Sequence, residues 1–215
     1  MTNSGQRDPF DIRHSVIPST FGIRHSSFRA EGAFTLIELL VVIAIIIILA
    51  GLILTTSGYV QRKGARARAE TEIAAMSAAI ESYKADNGIY PRDNTTNQYT
   101  DTLDARQKTD ATQTVYQNAS LYLYNALFGA TSGSRTPNTG ARSYFVFKPN
   151  MLNPADQAQN VLFIQDPFGN SYGYSTAYQA WVEGGSSGPQ KGYNPTFDLW
   201  STANSTDPNQ WIKNW

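Results

Sequence analysis

Residues 32–54 read GAFTLIELLVVIAIIIILAGLIL. After the first few positions the run is almost purely aliphatic, and at roughly 20 residues it has the length of a bilayer-spanning helix. It carries one acid, Glu38, close to its start. A carboxylate at the centre of a membrane helix costs about 2.5–3.5 kcal/mol on insertion scales and less near an interface, so such a residue is expected to have a partner. Residues 1–31 are polar and contain Arg7, Arg13, Arg24 and Arg29, with no helical apolar pattern. A secretory signal has a shorter apolar core followed by its small-residue cleavage site. Here the small pair Gly32-Ala33 precedes the run, so a cut at that place leaves the helix in the mature chain.

The helical pattern continues past the apolar run. Residues 59–87, YVQRKGARARAETEIAAMSAAIESYKADN, are rich in helix-forming Ala, Glu, Lys and Arg. Ile73, Met76, Ile80 and Tyr83 recur at steps of three, four and three, which makes one apolar stripe. Arg66 and Glu70 are spaced to pair across one turn. Asn87-Gly88 and then Pro91 form a stop signal. One helix over 34–87 would be about 80 Å long at 1.5 Å per residue. Gly51, Gly58 and Gly64, with Thr55, Thr56 and Ser57 among them, mark 51–64 as a stretch that either bends on assembly or permits close helix packing.

The remainder reads as a small globular domain. Residues 92–115 are a polar loop, and 119–129 (ASLYLYNALFG) a short amphipathic helix ended by Gly129. A Ser/Gly/Pro/Asn-rich loop covers 130–143. The runs 143–148, 161–165, 171–176 and 196–201 are expected as strands, with Asp166-Pro167-Phe168-Gly169-Asn170 turning a hairpin between the middle two. The fold class is therefore α+β: a long N-terminal helix packed on a small antiparallel sheet.

Bulk composition narrows the function. The 215 residues balance 17 basic against 17 acidic side chains, so nothing global points to nucleic acid. Cysteine is absent, which removes disulfides and thiolate metal sites. His14 and His25 both precede the apolar run. A chain cut at 32–34 would have neither Cys nor His, and most nucleophile, general-base and zinc chemistry goes with them. Asp166, Glu183, Asp198 and Asp207 have no paired spacing of a glycosidase kind, so a tethered enzyme or sugar-binding module is the weakest of three readings.

FTLIE followed by an aliphatic helix resembles the processing site of type IV pilins and of type II secretion pseudopilins. SYKADNGIYP, DPFGNSYGY, FDLWS and the closing WIKNW are similar to segments of the major pseudopilin, in the same order, whereas 92–160 does not match. The resemblance implies a prepilin leader over 1–33, an assembly helix over 34–54, the amphipathic half of the long helix over 55–91, and a globular domain over 92–215. In the family Gly directly precedes Phe and the Glu is fifth in the mature chain. Here Ala33 intervenes. A cut between Ala33 and Phe34 restores that spacing, while a cut after Gly32 makes Glu38 the sixth residue. The resemblance further implies N-methylation of Phe34, and pairing of Glu38 with the new amino terminus of a neighbouring subunit.

The function implied is that of a non-enzymatic pseudopilin polymerising into a periplasmic fibre that drives protein secretion. A type IV pilin of a surface fibre is the alternative, and the cysteine-free C-terminus favours the first. Implied partners are other copies of the chain, prepilin peptidase, an inner-membrane platform protein, an assembly ATPase and minor pseudopilins. The location would be the inner membrane with the globular domain in the periplasm. Arginine and lysine lie on both sides of the apolar run, so this orientation rests on the resemblance. The family often binds Ca²⁺ just after the strand matched by FDLWS. The corresponding loop, 202–209, offers Asn204, Asp207 and Asn209 with backbone carbonyls, and Asn204 stands where an Asp is expected. A weak calcium site and a metal-free polar turn are both open.

Overall fold

A computed structural model describes residues 34–93, 99–107 and 109–215. The chain divides into two compact units, Met1–Leu49 and Ala50–Trp215. Helix α1, Leu36–Asn87, contributes to both. In the first unit its described residues are exposed, from Leu36 through Leu49.

In the second unit α1 becomes amphipathic. Ala69, Ile73, Met76, Ala79 and Ile80 are buried in the main core, and Tyr83 packs against it half-buried. This is the stripe read from the sequence. Each fully buried Ile or Met is worth about 1.5–3 kcal/mol, so the stripe holds the helix to its domain. The helix stops as Gly88 takes a φ of 79° and its N–H bonds to Lys84 O at 2.8 Å. Asn87 Nδ2 donates to Tyr83 O and to the Tyr144 hydroxyl, which seals the end. Helix is continuous across 51–64. A Cβ added at Gly51, Gly58 or Gly64 would meet nothing within 4 Å, and the side chains of Thr55, Thr56 and Ser57 lie outside the described ones.

Helix α2, Thr114–Phe128, starts five residues earlier than its amphipathic run suggested. Tyr116, Ala119, Leu123 and Leu127 bury one face, and Gly129 (φ 77°) ends it as expected. The helix packs against strands from two separate sheets. One sheet pairs β1, Leu152–Asn153, with β2, Phe163–Ile164. The other runs β3–β4–β5, with β3 at Gly173–Ser175, β4 at Asp198–Ser201 and β5 at Ile212–Lys213, all antiparallel. The seven-residue helix α3, Ala177–Glu183, follows β3.

The expected single sheet is thus two. The 143–148 run is not a strand. Its alternation is genuine, with Phe147 buried and Val146 81% exposed. However, the N–H groups of Tyr144 and Phe145 both bond to Leu127 O at the end of α2, so the segment is extended without a ladder partner. The 161–165 run is strand only at 163–164, and 171–176 only at 173–175. The 166–170 turn forms as read, with Gly169 N donating to Asp166 O and an isolated bridge between Gln165 and Ser171. Beyond that bridge its two arms go to different sheets.

A second core closes the far end of the three-stranded sheet. Trp200 stacks on Trp211 with centroids 5.9 Å apart and planes 10° apart, and its Nε1 donates to the Tyr116 hydroxyl. Leu103, Ala105, Ala111 and Ala119 complete it. Part of the 92–115 loop is therefore core. Arg92 pairs with buried Asp101 at 2.9 Å and with Glu183 of α3, tying the loop to the sheet's neighbour helix.

Candidate functional site

The first candidate is the start of α1. Gly32 and Ala33 lie outside the described residues. Phe34 is 82% exposed. Thr35 and Glu38 form a reciprocal cap: Glu38 N donates to Thr35 Oγ1 at 3.3 Å, while Glu38 Oε2 accepts from Thr35 N and Thr35 Oγ1, both at 2.8 Å. A Thr and a Glu three residues apart satisfy two of the orphan N–H groups that every helix start leaves open. The letters TLIE carry this signal, so Glu38 has a local partner beside the intersubunit one that the family resemblance implies.

Leu36, Ile37, Leu39, Leu40, Ile46 and Ile47 are each more than half exposed. The apolar stretch of α1 is long enough to cross a membrane, and none of it is buried. So large an apolar surface is stable in water only when covered. A helix satisfies its own backbone, which suits it to lipid or to a bundle of like helices.

Arg66 does not pair with Glu70. Its Nη1 donates to Gln210 O at 2.9 Å, and the helix pair that forms is Arg68–Glu72 at 2.7 Å. The far oxygen of Glu72 accepts from the Tyr172 hydroxyl at 2.7 Å.

The second candidate is the loop after β4. Ala203 and Asn204 both have positive φ, 50° and 61°, turning the chain sharply. Asn204 Oδ1 accepts from Asn170 Nδ2 at 2.6 Å. Asp207 Oδ1 accepts from Asn209 N and Asn209 Nδ2, both at 2.9 Å, and so caps the short 3-10 turn Pro208–Gln210. Calcium takes six to eight oxygens, commonly with several carboxylates. This set has one carboxylate, half occupied, one amide oxygen already bonded, and an Asn209 amide turned as a donor. An adjoining cleft of about 180 Å³ brings in Asp110, but its Oδ1 accepts from Thr112 N and Thr112 Oγ1. Among the described residues no three His, Cys, Asp or Glu side chains are grouped to hold an ion. The donor set does not fit calcium.

The other acids singled out from the sequence are structural. Asp166 Oδ1 accepts from Phe168 N and Asn170 N, and its Oδ2 from Ser201 Oγ. Burial pushes its pKa up against those bonds. Asp198 accepts from Tyr193 N and Asn194 N, both at 2.8 Å, and is likewise raised by burial. Glu183 is held by Arg92, which lowers its pKa.

A family model described as the prokaryotic N-terminal methylation motif matches residues 28–54. The chain is 38% identical over 66 residues to the type II secretion system core protein G of Pectobacterium carotovorum subsp. carotovorum, covering 31% of this chain and 42% of that protein. It is 36% identical over 63 residues to the protein of the same name from Vibrio cholerae serotype O1, covering 29% and 43%. Against that of Aeromonas hydrophila it is 39% identical over 75 residues, covering 35% and 50%. The chain thus spans half or less of the length of these relatives. No solved structure matches it.

Proposed function

We propose that this chain is a pseudopilin, a structural subunit that polymerises through its N-terminal helix into a periplasmic fibre of a type II secretion system. The observation that carries the reading is the exposed apolar stretch of α1, opening on Phe34 and Glu38 inside the methylation motif. Prepilin peptidase cuts between Ala33 and Phe34, and Phe34 is N-methylated. The new cationic amino terminus enters the apolar layer of the bundle, where Glu38 of a neighbour neutralises it. The globular domain stays on the periplasmic side of the inner membrane, and the subunit acts without catalysis of its own. A platform protein, a cytoplasmic ATPase and minor pseudopilins complete the assembly.

The test is intact mass and N-terminal sequencing of the protein recovered from membranes. The expected mature chain starts at methylated Phe34. An uncut chain, or a cut beyond residue 54, overturns the reading and leaves the helix as a plain anchor or a secretion signal.

A further inference from the structure

Five of the nine backbone carbonyls of the 202–210 loop accept hydrogen bonds from within the domain, and two of the donors are cations. Thr202 O accepts from Ser205 N at 2.8 Å, and Asp207 O from Gln210 N at 3.0 Å. Ser205 O accepts from the indole N–H of Trp211 at 2.9 Å. Gln210 O accepts from Arg66 Nη1 at 2.9 Å, and Pro208 O from Lys213 Nζ at 3.3 Å. With Asn170 on Asn204 Oδ1 and Asn209 on Asp207 Oδ1, donors reach the loop from α1, the 166–170 turn, β5 and the loop itself.

A loop rich in backbone carbonyls needs positive charge or N–H groups directed at it. In a calcium loop the ion meets that need. We propose that here the loop is closed by side chains instead of a metal ion, with Arg66 and Lys213 supplying the positive charge. The hollow of about 440 Å³ between α1 and the loop supports this, because Arg62 and Arg66 line it and no carboxylate does. A divalent cation placed there would meet two guanidinium groups. The clamp also ties the loop to the helix that carries the anchor, since Arg66 lies on α1 and Gln210 on the loop. It therefore makes the packing of α1 on its domain independent of calcium. This inference concerns the loop chemistry and stands whether or not the chain builds a fibre.

The test is thermal unfolding of the full chain in detergent, in millimolar Ca²⁺ and in excess chelator, with equilibrium dialysis against radioactive Ca²⁺. The expected result is the same midpoint in both buffers and no stoichiometric calcium. Arg66→Ala and Lys213→Ala should each lower the midpoint by roughly 3–6 °C, equally in both buffers. Arg66→Lys should fall between, because it keeps the charge and loses the forked donor. A midpoint raised by calcium, one bound calcium per chain, or alanine variants as stable as the parent would each overturn the proposal.

Discussion

The Tyr172 hydroxyl donates to Glu72 Oε2 at 2.7 Å, joining the strand side of the domain to the long helix α1. Tyr172 is fully buried, and Arg68 holds the other Glu72 oxygen at 2.7 Å. Burial and the adjacent carboxylate push the phenol well above its ordinary pKa, so it remains a donor at any physiological pH. A hydrogen bond to a charged acceptor is worth about 1.5–3 kcal/mol. Tyr172→Phe should therefore lose about 2 kcal/mol in denaturant unfolding with an unchanged slope. No loss would mean that Arg68 alone satisfies Glu72.

Gly173 sits against the face of Trp200. A Cβ at Gly173 would lie 2.2 Å from Trp200 Cε2, and the indole has nowhere to retreat because it stacks on Trp211 and meets Trp215 edge-on. Gly173→Ala should cost about 3 kcal/mol or abolish folding, the upper end for overpacking a core. The double variant Gly173→Ala/Trp200→Leu should recover part of that loss. Additive losses in the double variant would place the cause elsewhere.

Asp166 gives a pH signature with a definite sign. Its folded pKa is raised by burial, so its contribution is fully present below the unfolded value of 3.8 and is lost as pH rises through the folded value. Asn at this position does not titrate. The stability advantage of the parent over Asp166→Asn should accordingly be larger near pH 4 than at pH 7. Paired thermal midpoints at the two pH values check this, and an advantage that grows toward pH 7 would show that its three hydrogen bonds outweigh burial.

Much of this was legible in the sequence because it depends on local period and turn chemistry. The Ile73, Met76, Ile80 stripe, the stop at Asn87-Gly88, the cap at Gly129 and the Asp166–Asn170 turn all follow from neighbouring residues. What was not legible depends on partners distant in the chain. The alternation of 143–148 is the same for a strand and for an extended segment bonded to the end of α2. Trp200, Trp211 and Trp215 reveal their shared core only once β4 and β5 are paired. The proposal of a metal-free loop rests on donors from Asn170, Arg66 and Lys213, none of which lies in the loop. The Thr35–Glu38 cap is the exception: its partners are three residues apart, so its spacing is visible in the sequence.

Glu38 therefore has two candidate roles, and one pair of variants separates them. As a cap it needs only an acceptor, and Gln serves a capping box about as Glu does. As the counter-ion of a neighbour's amino terminus it needs a full negative charge. Glu38→Ala removes both roles, and Glu38→Gln only the second. A lost cap costs about 1 kcal/mol at the end of one helix. An unpaired charge in the apolar layer costs about 3 kcal/mol, roughly a hundredfold in an equilibrium constant. If charge pairing governs assembly, both variants are exported and cleaved normally, and Glu38→Gln gives as little filament as Glu38→Ala. A Glu38→Gln chain that assembles like the parent would reduce the residue to its bonds with Thr35.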